Sequence, residues 1–308
     1  MRLACSALLL AAACGNLSNE DVAFLVAIPQ RDQLHVAVPA NDGTVQPACL
    51  YGAADVWTNA KTSGDGLNAA VDGLIAFVDA IRAQPPTSRD QDSRTWGPFP
   101  DQQHPGVEFR ATLYRELDAN RVPWHWIFDI SARGQASGTA FVPILEAEFF
   151  GAQAVNGIGR MTLHFETAAA LGINKPTDPT GPMRIYYDRF EDPHTISLDL
   201  TSSTGFGLVS FDYGYAGYAD GHGRFDYAFP DPKSGCKVEV TTYFDKLGEG
   251  RDVVRLDCGL IGVLGPIEQC WDRSACLTYA NDPFAFTPAC LGVKPCTLGA
   301  ATDCPAGL

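Results

Sequence analysis

Two histidine–carboxylate pairs are the residues of this chain best placed, by type and spacing, to do chemistry. His125 and Asp129 lie four apart in a run of alternating pattern, and His164 and Glu166 lie two apart in another. In an extended strand both spacings put the pair on one face. An imidazole beside a carboxylate can act as a general acid–base couple, or the four together can hold a metal ion. The same alternation sets these residues opposite the apolar side chains, on the face that water wets. A hydrolase built on this face is therefore an alternative reading. A second candidate is Asp220-Gly221-His222-Gly223, flanked by Tyr213, Tyr215, Tyr218, Phe225 and Tyr227. It could form an aromatic ligand or sugar site, but the favoured reading is a tight hairpin whose strands carry β-favouring aromatics. A third is the apolar row Trp124, Trp126 and Phe128, which packs a core by default and lines a ligand groove if the sheet is only partly covered. The chain holds no Gly-x-Ser-x-Gly, His-Glu-x-x-His, phosphate-binding glycine loop or calcium-loop pattern. No catalytic residue is assigned, and no cofactor or metal is expected.

Cysteine is the other reactive type. Ten occur, of which Cys5 and Cys14 sit in an apolar amino-terminal segment. The remaining eight, Cys49, Cys236, Cys258, Cys270, Cys276, Cys290, Cys296 and Cys304, are even in number and read as disulfides. Cys236 and Cys258 flank the strand-like runs Lys237–Val240 and Val253–Leu256 and are equidistant from Leu247 in the turn between them. A simple hairpin sets them opposite each other, at a separation a disulfide tolerates. The other six allow fifteen connectivities, and spacing does not choose among them. Zinc competes weakly, because the spacing is Cys-x5-Cys twice and not the Cys-x2-Cys of common zinc sites.

The amino terminus explains why so many thiols would be oxidised. Met1-Arg2 is followed by the apolar run Leu3–Leu10 and by Ala11-Ala12-Ala13-Cys14-Gly15. This is a charged n-region, an h-region and a small-residue cleavage site. The stretch resembles the lipobox of bacterial lipoproteins, with Ala11 standing where Leu is usual. The resemblance implies cleavage before Cys14 and a diacylglycerol on its thiol. Gly15 and Asn16 follow, and the absence of Asp there points to the outer rather than the inner membrane.

These residues need elements to position them. A stripe of Leu67, Val71, Leu74, Ile75, Val78 and Ile81 recurs at the helical period and ends at Pro85-Pro86. Ser18-x-x-Asp21 before Val22, Phe24, Leu25 and Ile28 could cap a shorter helix that Pro29 ends, or the stretch could pair as a hairpin. From Val107 to Cys258 the period switches to two, with turn signals between the runs. About ten strands joined by short connections must be antiparallel neighbours, too many for a flat sheet. The fold class is mainly β (α+β): a curved antiparallel meander of about ten strands packed on one long helix, closed by a disulfide-rich carboxy-terminal cap. The domain reading is a signal peptide over 1–13, a lipidated lead-in over 14–50, a helix-plus-half-barrel domain over 51–262 and a cysteine-rich cap over 263–308.

That order of elements resembles the half-barrel of the lipoprotein carriers LolA and LolB, whose concave face holds acyl chains. The blocks Pro85-Pro86-Thr87, Trp96-Gly97-Pro98, Gly248-Glu249-Gly250-Arg251-Asp252 and Cys270-Trp271-Asp272 resemble those of uncharacterised lipoproteins of myxobacteria-type bacteria, a family with no established activity to carry over. A formal net charge of −14 repels nucleic-acid phosphates, so nucleic acid is not an expected partner. The function this supports is an exported, membrane-anchored lipoprotein without evident catalysis that binds a lipid or apolar ligand in a curved sheet. The alternatives are a structural or interaction protein of the envelope and the hydrolase above.

Overall fold

A computed structural model describes residues 17–28, 30–39, 49–134, 138, 140–151, 157–173, 180–204, 207–231 and 235–305. Four helices come first or interrupt the strands: α1 Asn19–Val26, α2 Arg31–Leu34, α3 Asp55–Arg82 and α4 Phe165–Ala170. The strands are β1 Ser88–Arg89, β2 Ser93–Pro100, β3 Glu108–Leu117, β4 Pro123–Arg133, β5 Val142–Phe150, β6 Ile158–His164, β7 Pro182–Asp188, β8 His194–Thr204, β9 Gly207–Gly217, β10 Gly223–Pro230, β11 Lys237–Phe244, β12 Gly250–Asp257, β13 Val263–Trp271, β14 Leu277–Asp282 and β15 Cys296–Leu298. They form one antiparallel sheet in chain order from β1 to β15, and the sheet is not closed. The expectation of about ten strands was therefore too low, with fifteen present. The meander starts before Val107, because β2 is broken by a proline and carries a buried arginine that hides its alternation. It also continues past Cys258: the tail read as a loop-rich cap contributes β13, β14 and β15.

The chain divides into two compact units, one of residues 1–34 and 71–190, the other of 35–70 and 191–308. In the first, alternate side chains of the strands face inward: Leu113, Trp126, Phe128, Ile130, Phe149 and Tyr187 are all buried. The second half of α3 adds Val71, Ile75, Val78 and Ile81 to that core. Helix α1 forms where Ser18 and Asp21 make a reciprocal capping box, Ser18 Oγ accepting from Asp21 N and Asp21 Oδ2 from Ser18 N. It docks through Phe24, whose ring meets Trp126 edge-on at 5.4 Å between centroids. The guanidinium groups of Arg94 and Arg115 stand 4.4 and 4.8 Å from the Phe24 ring. Arg94 Nε donates to Asp21 Oδ1 at 2.6 Å and Arg89 Nε to Asp21 Oδ2 at 3.1 Å, with Asp21 fully buried and Arg94 nearly so. A buried arginine on a strand is thus matched to a buried aspartate on the helix that covers it.

In the second unit the first half of α3 supplies Trp57, Ala60 and Leu67 to a core built from Tyr213, Tyr215, Phe225, Val240, Phe244 and Trp271. Helix α3 starts twelve residues before the periodic stripe. Gly64, which weakens the helical pattern, is there for close packing: a Cβ on it would lie 2.9 Å from Val38 Cγ2. The β11–β12 hairpin pairs Lys237 with Asp257, and Cys236 and Cys258 next to them are bridged. The other bridges are Cys49–Cys276, Cys270–Cys304 and Cys290–Cys296.

Candidate functional site

The first unit holds an apolar cleft of about 480 Å³ where the end of α3 passes over β2 and β3. Its helical wall is Phe77, Ala80 and Ile81, continued by Gln84 just past the end of α3. Its floor is Phe99 and Phe109, cross-strand partners of β2 and β3. Phe77 meets Phe109 edge-on at 5.4 Å, and Pro100, Asp101 and Gln102 form the rim.

Local sequence opens this cleft. The Gly97–Pro98 peptide is cis and the β2–β3 register shifts between Trp96 and Phe99. A bulge of this kind re-aims the side chain that follows it. Gly97 has φ +94°, and a Cβ there would fall 2.6 Å from the Phe109 carbonyl oxygen, so only glycine suits the position. Trp96, on the other side of the bulge, is fully buried and its Nε1 donates to Gln84 O at 3.0 Å, which fixes the end of the helix to the strand. The rim loop is held by Asp101, whose Oδ1 accepts from Gln103 N at 2.8 Å and whose Oδ2 lies 2.6 Å from His104 Nδ1. Burial alone would raise the Asp101 pKa, but the His104 ring and the loop N–H groups outweigh it and hold the carboxyl below its ordinary value. The cleft therefore has an aromatic interior with one small polar pair, Asp101 and His104, at its mouth.

The residues singled out from sequence lie elsewhere. Trp126 and Phe128 are enclosed in the core, Trp126 under Phe24, whereas Trp124 is 46% exposed beside the His125 and Phe150 rings. The open apolar surface is thus not along this row. His164 does meet Glu166, Nδ1 to Oε1 at 3.1 Å, and its Nε2 lies 2.7 Å from Glu146. His125 pairs with Glu116 of β3 at 3.1 Å and not with Asp129. Burial and then the charge of Glu146 raise the Asp129 pKa. These histidines lie on the sheet face opposite the buried apolar row and pair with Glu116 of β3, Glu146 of β5 and Glu166 of α4. Tyr213, Tyr215, Phe225 and Tyr227 are buried, and His222 stacks on Tyr218 at 3.9 Å beside Asp220 in the hairpin turn. Among the described residues no three His, Cys, Asp or Glu side chains are grouped to hold a metal ion. Cys14 and the leader lie outside the described residues.

Phe77, Phe99 and the Asp101–His104 pair were not picked out in the sequence. The signal for Phe77 was present, since Phe77, Ala80 and Ile81 form a second face beside the buried stripe. Phe99 follows a Gly-Pro that the alternation test cannot cross. No family model matches this chain, and no curated protein or solved structure does either.

Proposed function

We propose that the protein is an exported, lipid-anchored envelope protein that holds an acyl chain, or an apolar ligand of similar width, in the cleft between α3 and the β2–β3 hairpin. The observation that carries this reading is the cleft itself: about 480 Å³, inside the usual range for ligand pockets and lined mainly by Phe77, Ile81, Phe99 and Phe109. On this reading the ligand enters at the Asp101 rim.

The address follows from Met1–Gly15, whose resemblance to a lipobox implies an acylated Cys14, and the four disulfides favour an oxidising compartment. Among the described residues no helix is long and apolar enough to cross a membrane; on this reading the acyl chains on Cys14 are the anchor. The four residue steps from Cys14 to the helix cap at Ser18 span at most about 14 Å. A body tethered that closely meets bilayer lipid at high local concentration, the mass-action condition under which even a modest cleft fills.

The test is to purify the protein from membranes, extract it with organic solvent and identify what leaves. The thioether-linked lipid stays with the protein, so only non-covalent ligand is counted. About one apolar molecule per chain is expected from the wild type, and less than a tenth of that from Ala80→Trp, which fills the cleft from an exposed helix position. A wild-type protein that releases nothing, or that carries a stoichiometric protein partner instead, refutes the ligand reading. Mass spectrometry showing an intact leader or an unmodified Cys14 refutes the anchor reading separately.

A further inference from the structure

The second unit contains a set of buried oxygen atoms without a hydrogen-bond partner among the described residues. Thr242, Asp252 and Gln269 lie side by side on β11, β12 and β13, each the cross-strand partner of the next. All three are buried, at 0, 0 and 2% exposure. Their donors are already used: the Thr242 hydroxyl donates to Asp252 Oδ1 at 2.5 Å, and Gln269 Nε2 donates to the Thr287 hydroxyl at 3.1 Å. That leaves Asp252 Oδ2 and Gln269 Oε1 buried and without a partner. Asp55 Oδ1, at the start of α3, is buried and without a partner as well.

The first turn of α3 lies over this row. Trp57 stacks on Trp271 at 5.0 Å and leans on Phe244 at 5.6 Å. Phe244, Gly250 and Trp271 form the rung two residues along from Thr242, Asp252 and Gln269, on the same strands and the same face. Asp55, two residues before Trp57, is close enough for its charge to act on both Asp252 and Tyr227. Asp55 Oδ1, Asp252 Oδ2 and Gln269 Oε1 are thus three unpartnered acceptors among the described residues, and Trp57 Nε1, two residues from Asp55, is an unpartnered donor. A lone buried carboxylate oxygen is costly to maintain, and native proteins satisfy such atoms with a bound group.

We propose that Asp55, Asp252 and Gln269 bind a divalent cation of the calcium type. Two carboxylates and an amide oxygen make a purely oxygen donor set carrying two negative charges, the combination that hard cations select. Imidazole and thiolate, which would favour zinc or copper, take no part. The ion ties the start of α3 to β12 and β13, so its effect falls on stability. Burial raises the Asp252 carboxyl well above its ordinary pKa, and Asp55 adds to this; a cation reverses that balance and keeps the group ionised.

The experiment uses the whole chain, stripped with EDTA and titrated with Ca²⁺, with thermal unfolding as one readout and Tb³⁺ emission excited through Trp57 and Trp271 as the other. At Ca²⁺ well above its dissociation constant the unfolding midpoint is expected to rise by about 5 °C or more. Asp252→Asn is expected to lose both the shift and the tryptophan-excited emission. Gln269→Glu adds a third carboxylate and is expected to bind Ca²⁺ at least tenfold more tightly, which keeps the test informative if Asp252→Asn does not fold. Equal midpoints in Ca²⁺ and EDTA with no emission overturn the proposal. So does a response that survives Asp252→Asn or is unchanged in Gln269→Glu, because it places the ion elsewhere.

Discussion

Replacing Asp21 by Asn leaves the shape of α1 intact and removes one charge from the most enclosed ion pair in the first unit. Asp21 has no exposed surface, and Arg94, its partner at 2.6 Å, is only 3% exposed at its side chain. The substitution leaves the buried guanidinium with only Glu20, 3.4 Å away and more than half exposed, as counter-ion, a loss of up to about 3–5 kcal/mol. Domains of ordinary stability hold about 5–15 kcal/mol in total, so the loss is a large fraction. At about 2–4 °C per kcal/mol for a chain somewhat shorter than this, the unfolding midpoint should fall by roughly 6–20 °C. The structure also offers a cheaper response: α1 can undock, so that Arg94 reaches water and Phe24 leaves Trp126. Hydrogen exchange then separates the two responses. Undocking speeds exchange over Asn19–Val26 alone, and global loss speeds it throughout the first unit. The decisive comparison is a double-mutant cycle with Arg94→Met, which removes the charge and keeps an apolar stem over Phe24. Asp21→Asn with Arg94→Met should be more stable than Asp21→Asn alone, because no charge is left buried and unpaired. If Asp21→Asn costs less than about 1 kcal/mol with no change in exchange, or if the two substitutions simply add, the pair does not hold the helix as argued.

Three further outcomes follow from the same contacts. Gly97→Ala puts a Cβ against the Phe109 carbonyl at a positive φ, and should cost about 2 kcal/mol or more and abolish ligand retention, as read by chemical denaturation and by extraction. Asp21 is held below its ordinary pKa, its hydrogen bonds from Ser18, Arg94 and Arg89 overcoming the opposing effect of burial, so its contribution is present above about pH 3.8 and is lost as pH falls further; denaturation curves measured downward from pH 5 should show stability declining, and Asp21→Asn should flatten the decline. Asp252 shifts the other way: with its folded pKa raised by burial, the folded state holds that proton more tightly, and in EDTA stability should decrease as pH rises from the ordinary carboxylate range through the raised value, a slope that Asp252→Asn removes.

The sequence was most legible where one rule acted alone. Strands such as β4, β7 and β12 alternate because one face is more buried than the other, so period two survives in Phe128 and Ile130 or Met183 and Ile185. Cys236 and Cys258 could be paired because their hairpin has a single symmetric register. Reading failed where two demands met in one residue. Arg94 looks like a solvent-facing position, yet it is buried because Asp21, seventy-three residues away, neutralises it. Gly64 looks like a helix breaker, yet close packing against Val38 requires it. β2 was missed because Gly97-Pro98 interrupts it, and that same interruption shapes the cleft floor. The row Trp124, Trp126 and Phe128 was identified correctly as apolar, but its cover, α1, comes from a hundred residues earlier, and no local pattern gives that docking. Alternation set His125 and His164 opposite the apolar side chains; there they are largely covered, at 12% and 20% side-chain exposure, each beside a carboxylate.

The most direct test of the account is native mass spectrometry of the membrane-purified protein beside its Ala80→Trp variant. The account expects the wild type to carry one non-covalent apolar molecule per chain and the variant, equally folded, to carry almost none. A wild type that flies empty, or a variant that retains the same ligand in the same amount, would contradict it.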